Sequence, residues 1–206
     1  GAGLNAAAPP FVPQGLACRA AWLRMLVLCG FPGSGKSTMA ARLCSELGWA
    51  AVNQDALGSR QACMKAVRAH LRSSGGRVVI DRCNADPSQR ALWVHLATQE
   101  FGLGALEIGC VWLDVPVEEC DRRVLGRFGH KTLPPQASSL RVIRSFASSW
   151  EPPTAEEGFA RLWHLASPLD AEAFWAELRA AGESGEGREA SGGAAGPPVV
   201  PPALPA

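Results

Sequence analysis

The chain has 206 residues, of which 47% are hydrophobic and 19% charged, with a formal net charge of +1. That length suits one domain with a proper core plus tails. So neutral a balance argues against a long, non-specific nucleic-acid track, which needs a basic stripe, but leaves room for a site gripping one end of a strand.

Residues 1–20 read as a flexible N-terminal segment. Its opening, GAGLNAAAPPFVPQG, is rich in Ala, Pro and Gly and has no initiator Met. It also lacks the basic-then-apolar order of a signal peptide. A start without Met suggests one domain of a longer, multidomain protein. No apolar run reaches transmembrane length, so no membrane partner is expected. The seven cysteines are scattered, with no C-x-x-C pair. Reduced thiols in a nuclear or cytoplasmic protein are the simplest reading.

Residues 21–181 alternate strand and helix signals. Strands are expected at MLVLCG (25–30), WAAVN (49–53), RVVID (77–81), EIGCVWLDV (107–115) and ARLWHL (160–165). These short apolar runs suit strands covered on both faces. Helices are expected at 36–47, 59–73, 87–99, 116–126, 136–149 and 169–181. The alternation predicts an α/β fold: right-handed β-α-β units building a five-stranded parallel sheet with helices on both faces. Residues 182–206, GESGEGREASGGAAGPPVVPPALPA, cannot bury enough apolar surface to order themselves.

GFPGSGKST, residues 30–38, fits G-x-x-x-x-G-K-[ST] between an expected strand and an expected helix. This is the context a P-loop requires. Gly30, Pro32, Gly33, Ser34 and Gly35 let backbone N–H groups approach phosphate oxygens, and the helix start adds its positive end. Lys36 can reach the β- and γ-phosphates of ATP; Ser37, followed by Thr38, can offer its hydroxyl to Mg²⁺. The fold is therefore that of a P-loop NTPase, of the nucleotide-kinase type. N-K-x-D is absent, and no strand ends in the Asp-Glu pair of water-activating ATPases. RVVIDRCN ends instead on Asp81, a second expected Mg²⁺ partner, through water, or else a turn cap.

In an open parallel sheet, ligands bind at the carboxyl ends of the strands. Asp55 lies just past the second strand, Asp81 ends the third, and the P-loop follows the first. If these strands are neighbours, all three share one rim. A carboxylate there suits a general base for an attacking hydroxyl.

GFPGSGKST, VNQDALGSRQAC, VVIDRCNADPSQR and the late PPTAEEGF together resemble the kinase domain of the polynucleotide 5′-kinase/3′-phosphatase family. The likeness is closer still to the kinase domain fused to aprataxin-like modules in plants and algae, and it covers roughly residues 24–166. It implies that Asp55 takes the proton from a 5′-hydroxyl end of DNA or RNA, with Lys36 on ATP and Ser37 and Asp81 at Mg²⁺. It also puts Arg90 near a substrate phosphate. Gln54 stands where some relatives carry arginine, and with Arg60 it joins the expected substrate-binding set.

VPVEECDRRVLGRFGHKTL, residues 115–133, follows the fourth strand. Arg123 and Arg127 are four apart, which places them on one helix face. They resemble the lid arginines that kinases of this architecture close over the moving phosphoryl group. The other reading is a solvated face paired with Glu118 and Glu119. His70, His95 and His164 read as structural and His130 as a turn or cap; Trp93, Trp112 and Trp163 read as core.

Three functions remain open at this level. One is an ATP-dependent kinase for 5′-hydroxyl ends of DNA or RNA, acting as a monomeric domain in end repair. Another is a kinase for a small alcohol or sugar. The third is a non-catalytic, ATP-dependent sensor of strand breaks.

Overall fold

Five short apolar runs become five parallel strands in the computed structural model, which describes residues 23–73, 76–104, 107–126 and 137–186. They are β1 (Met25–Cys29), β2 (Ala50–Asn53), β3 (Val78–Asp81), β4 (Ile108–Leu113) and β5 (Arg161–Leu165). The sheet order is β2-β3-β1-β4-β5, and every neighbouring pair is parallel. Strand β1 sits at the centre with all its side chains buried. A strand with neighbours at both edges and helices on both faces must be apolar throughout, which is why MLVLC shows no alternation.

Seven α-helices lie among the described residues: α1 (Lys36–Leu47), α2 (Gln54–Leu57), α3 (Arg60–Arg72), α4 (Pro87–Phe101), α5 (Val117–Leu125), α6 (Ala137–Ser148) and α7 (Pro168–Glu186). Their ends obey local chemistry. The Ser59 and Asp86 side chains accept from the first-turn amides of α3 and α4, and Pro87 opens α4 where no amide donor is needed. Gly48 and Gly102 close α1 and α4 in the left-handed conformation.

The sheet separates two cores. Leu26 and Leu28 of β1 join Leu43, Val111, Trp163, Phe174 and Leu178 on the face covered by α1 and α7. Met25 and Val27 point the other way, to Cys63, Val67, Trp93 and Cys110 under α3 and α4. Each such side chain contributes about 1.5–3 kcal/mol on full burial.

Most boundaries move by a residue or two, and three differences from the sequence reading have a clear local cause or extent. Helix α2 was not expected; it forms because Asn53 caps a single turn before Ser59 starts α3. Strand β4 stops at Leu113 rather than 115, since the Val115 amide turns back to the Leu113 carbonyl at 3.1 Å and Pro116 has no amide to offer. Helix α7 runs to Glu186, past the boundary expected at 181. The expected flexible segment 1–20 and most of the 182–206 tail lie outside the described residues, as do Arg127, Gly129 and His130.

One residue ties the third strand to the first. Asn84 is fully buried in the left-handed region (φ 45°), which asparagine tolerates better than most residues. Its amide donates to the Leu28 carbonyl at 2.7 Å, and its Oδ1 accepts from the Trp93 indole at 3.0 Å. Beside it, the Gly30 amide donates to the Cys83 carbonyl at 3.1 Å. The loop after β3 is thus anchored to the root of the P-loop.

Candidate active site

The P-loop glycines stand where side chains have no room. Gly30 and Gly33 have φ of 144° and 92°, and an added Cβ on either would lie 2.7 Å from a backbone carbonyl, of Leu113 and Cys120 respectively. The loop is pressed between β4 and α5, and only glycine permits that approach. Lys36 is buried. Its ammonium donates to the Gly30 carbonyl at 3.0 Å and to the Phe31 carbonyl at 2.7 Å, so its charge is held inside the loop.

The loop forms one wall of a cleft of about 360 Å³. Pro32, Gly33, Gly35, Lys36 and Ser37 line it, whereas Gly30, Ser34 and Thr38 of the expected phosphate set do not. Ser34 is buried behind it. The opposite wall carries Asn53, Gln54, Asp55, Asp81 and Arg82. Because β2, β3 and β1 are neighbours, the rim expected from the sequence exists, with Asn53 beside Asp81 in the register.

Asn53 organises that wall. Its side-chain amide donates to the Asp81 carboxylate at 2.6 Å. Its carbonyl oxygen accepts from the amides of Asp55 and Ala56 at 2.8 and 3.1 Å. One residue therefore fixes a buried carboxylate and starts the turn that carries an exposed one. Asn53 was not among the residues expected at the site; its position at the strand end, two residues before Asp55, is an N-cap signal.

Arg90 must be removed from the substrate-binding set. It is fully buried, and all five of its N–H donors have protein acceptors. It pairs with both Glu157 oxygens at 2.6 and 2.7 Å, and donates to the Asn84, Glu151 and Pro152 carbonyls. Burial alone would lower its pKa, yet the Glu157 bond lifts it above the usual arginine value. The PPTAEEGF stretch thus braces α4 through Arg90, and no donor is left for a ligand.

The cleft instead takes Arg82, Cys83, Gln89, Val142 and Phe146, none of which the sequence reading assigned. Arg82 and Cys83 directly follow Asp81 and were findable by the same strand-end rule. Burial pushes the Cys83 thiol up, against the pull of nearby Lys36. Gln89 is tethered to Asp86 at 2.6 Å. Val142 and Phe146, one turn apart on α6, reach the cleft only through tertiary packing, which the sequence does not announce. Gln54 does line the cleft, and its Oε1 is buried without a partner among the described residues. Arg60 is exposed at the first turn of α3 and is not part of the lining.

Helix α5 ends at Leu125, and Arg127, expected to share a helix face with Arg123, lies outside the described residues. Arg123 bonds Glu119 at 2.6 Å and also reaches the Ser34 carbonyl at 3.4 Å. Arg122 bonds the same carboxylate, which Arg123 first and Arg122 second hold below the usual range. Glu119 is thus the partner of both arginines, and Arg123 alone touches the P-loop. His164, exposed, stacks on Trp112 and pairs with Asp114 at 2.6 Å.

A nucleotide and a hard divalent cation fit these residues. The hydroxyl of Ser37 and the carboxylate of Asp81 face one cleft, and Mg²⁺ takes few protein oxygens when phosphates supply the rest.

The chain is similar to several known proteins. Residues 25–69 match the family model described as AAA domain. A protein named transcription factor bHLH140, from Arabidopsis thaliana, is 32% identical over 159 residues, spanning 72% of this chain and 16% of its own length. The bifunctional polynucleotide phosphatase/kinase of Schizosaccharomyces pombe is 36% identical over 141 residues, 67% of this chain and 32% of that protein. The chain thus spans a third or less of these curated relatives. Among solved structures, Chaetomium thermophilum Kti12 in complex with ADP-AlF3 superposes with a TM-score of 0.54 at 18% identity, over 78% of this chain and 96% of that one. That likeness speaks for the fold alone.

Proposed function

As a member of the polynucleotide kinase domain family, this chain, we propose, transfers the γ-phosphoryl group of ATP to the 5′-hydroxyl end of DNA or RNA. The observation that carries the reading is that Asp55 lines the same cleft as Lys36 and Ser37, on a turn set by the residue that also holds Asp81. A donor phosphate, a cation site and a carboxylate base are the parts phosphoryl transfer needs, since the protein's task is positioning and charge neutralisation.

In this reading Asp55 accepts the proton of the 5′-hydroxyl as its oxygen bonds to the γ-phosphorus, and the bond to the bridging oxygen of ADP breaks. Lys36 and the loop amides stabilise charge on the phosphates. Bound Mg²⁺, held by Ser37 and Asp81, would neutralise phosphate charge. Arg123 and Arg127 would form the lid, Gln54 and Arg60 would contact the acceptor, and a longer, aprataxin-like nuclear or cytoplasmic repair protein would carry the domain.

Labelled ATP, offered with a 5′-hydroxyl oligonucleotide, with a sugar mixture, or alone, tests this. Label should enter the oligonucleotide. Label confined to a sugar, or hydrolysis without an acceptor, would overturn the reading.

A further inference from the structure

No residue of the late PPTAEEGF motif lines the cleft, yet the stretch from Trp150 to Glu157 is fastened along its length. The Glu151 amide donates to the Ala85 carbonyl at 2.9 Å. Arg90 donates to the Glu151 and Pro152 carbonyls and pairs with Glu157. The Glu157 carboxylate also accepts from the Thr154 amide at 2.9 Å, as part of a capping box. Pro152 and Pro153 restrict the backbone in between.

What this frame holds in place is the ring of Trp150. It packs against the core under α3 and α4 and meets the Phe31 ring at 5.0 Å, tilted by 48°. Trp112 lies 6.2 Å from it and is itself stacked on His164. Phe31 belongs to the P-loop, and its carbonyl accepts from the Ser34 amide at 3.0 Å and from the Lys36 ammonium at 2.7 Å. A glycine-rich loop loses more entropy on ordering than other chain does, so its shape depends on anchors outside it. Gly30 is tied by its backbone to Cys83, and Phe31 by its ring to Trp150. Both ties return to the loop after β3, because Cys83 and Ala85 supply the carbonyls that hold Gly30 and Glu151.

We propose that Trp150 is a positioning residue for ATP: its ring clamps Phe31, and through Phe31 it holds the loop and Lys36 in the shape that receives the β- and γ-phosphates. This rests on the reading of the loop as an ATP site. The clamp touches the loop and not the nucleotide, so it contributes equally before and during transfer. Its loss therefore belongs in nucleotide affinity rather than in kcat. Arg90 and Glu157 act one step further back, by fixing the segment that carries the ring.

The test pairs ATP titration with amide hydrogen exchange of the loop in the nucleotide-free protein. Both are measured on the whole chain for wild type, Trp150→Leu, Trp150→Phe, Phe31→Leu and the double leucine variant. Trp150→Leu should weaken ATP binding roughly 3–10-fold, the range for one aromatic pair, and speed exchange of the loop amides. Trp150→Phe keeps a ring against Phe31 and should restore both. Phe31→Leu should match Trp150→Leu, and the double variant should lose no more than either, because the two changes remove one interaction. Wild-type affinity and exchange in Trp150→Leu overturn the proposal. So do losses that simply add in the double variant, or that Trp150→Phe fails to reverse. If Trp150→Leu does not fold, Phe31→Leu decides, and undiminished ATP affinity there overturns the proposal. A chain that binds no ATP while its loop exchange still depends on Trp150 would sink the ATP reading and leave the clamp standing.

Discussion

The side-chain amide of Asn53 donates to the Asp81 carboxylate at 2.6 Å, while its carbonyl oxygen caps the turn that carries Asp55. The two carboxylates of the cleft are therefore mechanically coupled through one side chain. Replacing Asn53 by Ala should cost about 1 kcal/mol of stability, the usual loss of a cap. It should also lower kcat by roughly 10-fold or more, because small displacements of positioned groups are costly in rate. Asn53→Asp separates the two effects: aspartate caps as well as asparagine but would face Asp81 with a like charge, so stability at the turn returns while the rate does not. Denaturation and steady-state kinetics on both variants decide it, and equal rates in wild type and Asn53→Asp would refute the coupling.

Arg90→Met should hit stability rather than substrate binding. Removing the guanidinium strands Glu157, only 12% exposed, and three carbonyls. Breaking a buried pair from one side costs about 3–5 kcal/mol. At a temperature where the variant is still folded, KM for the 5′-hydroxyl end should move little. A large rise in KM at wild-type stability would restore Arg90 to the substrate site.

How much of this the sequence disclosed depends on whether the signal is local. The strands and the P-loop are local: apolar runs and a glycine pattern declare themselves without a partner. The shared rim needed one tertiary fact, that β2, β3 and β1 are adjacent, and the sheet order supplies it. Arg90 was misread because DPSQR looks the same whether its arginine points to a cleft or to a glutamate 67 residues away. Val142 and Phe146 were unreadable for the same reason, since only packing turns that side of α6 toward the cleft. Arg82 follows Asp81 directly, but only the packing shows that it lines the cleft.

Lys36 and Asp55 should fail in different ways. Lys36→Ala removes the ammonium held by the loop carbonyls and should abolish both tight ATP binding and transfer. Asp55→Asn should leave ATP affinity nearly intact and cut kcat by roughly 10²–10⁴-fold, the contribution of a positioned base. Isothermal titration with ATP, alongside single-turnover transfer, distinguishes them. Collapse of ATP affinity in Asp55→Asn would make the residue part of the nucleotide site.

The cap of α4 carries a pH signature. Asp86 accepts from the Ser88 hydroxyl and from the Gln89 amide at 2.9 Å, and these bonds, Ser88 first, hold its carboxyl below the usual value. A depressed folded-state pKa gives stability that is present above the unfolded carboxyl pKa of about 4 and is lost as pH falls through the lower folded value. Asparagine caps equally well and does not titrate. Melting curves of wild type and Asp86→Asn should therefore coincide near neutrality, with the variant gaining relative stability below about pH 4. Parallel curves across the whole range would remove the cap from the acid response.

Arg122 and Arg123 offer the sharpest internal control, because they share one carboxylate and differ in one contact. Both bond Glu119, but Arg123 alone extends to the Ser34 carbonyl of the P-loop, at 3.4 Å. An arginine held only by an exposed helix pair contributes little, about 0–1 kcal/mol, and its loss should change neither kinetic constant beyond about twofold. That is the expectation for Arg122→Ala. If Arg123 turns from Ser34 toward the moving phosphoryl group, its interaction is made mainly in the transition state and must appear in kcat rather than KM. Arg123→Ala should then lower kcat by roughly 10-fold or more with KM for the strand end nearly unchanged. Steady-state kinetics of the two alanine variants at equal ATP saturation tests this. Small and equal effects in both would leave α5 as a solvated face whose arginines serve Glu119 alone.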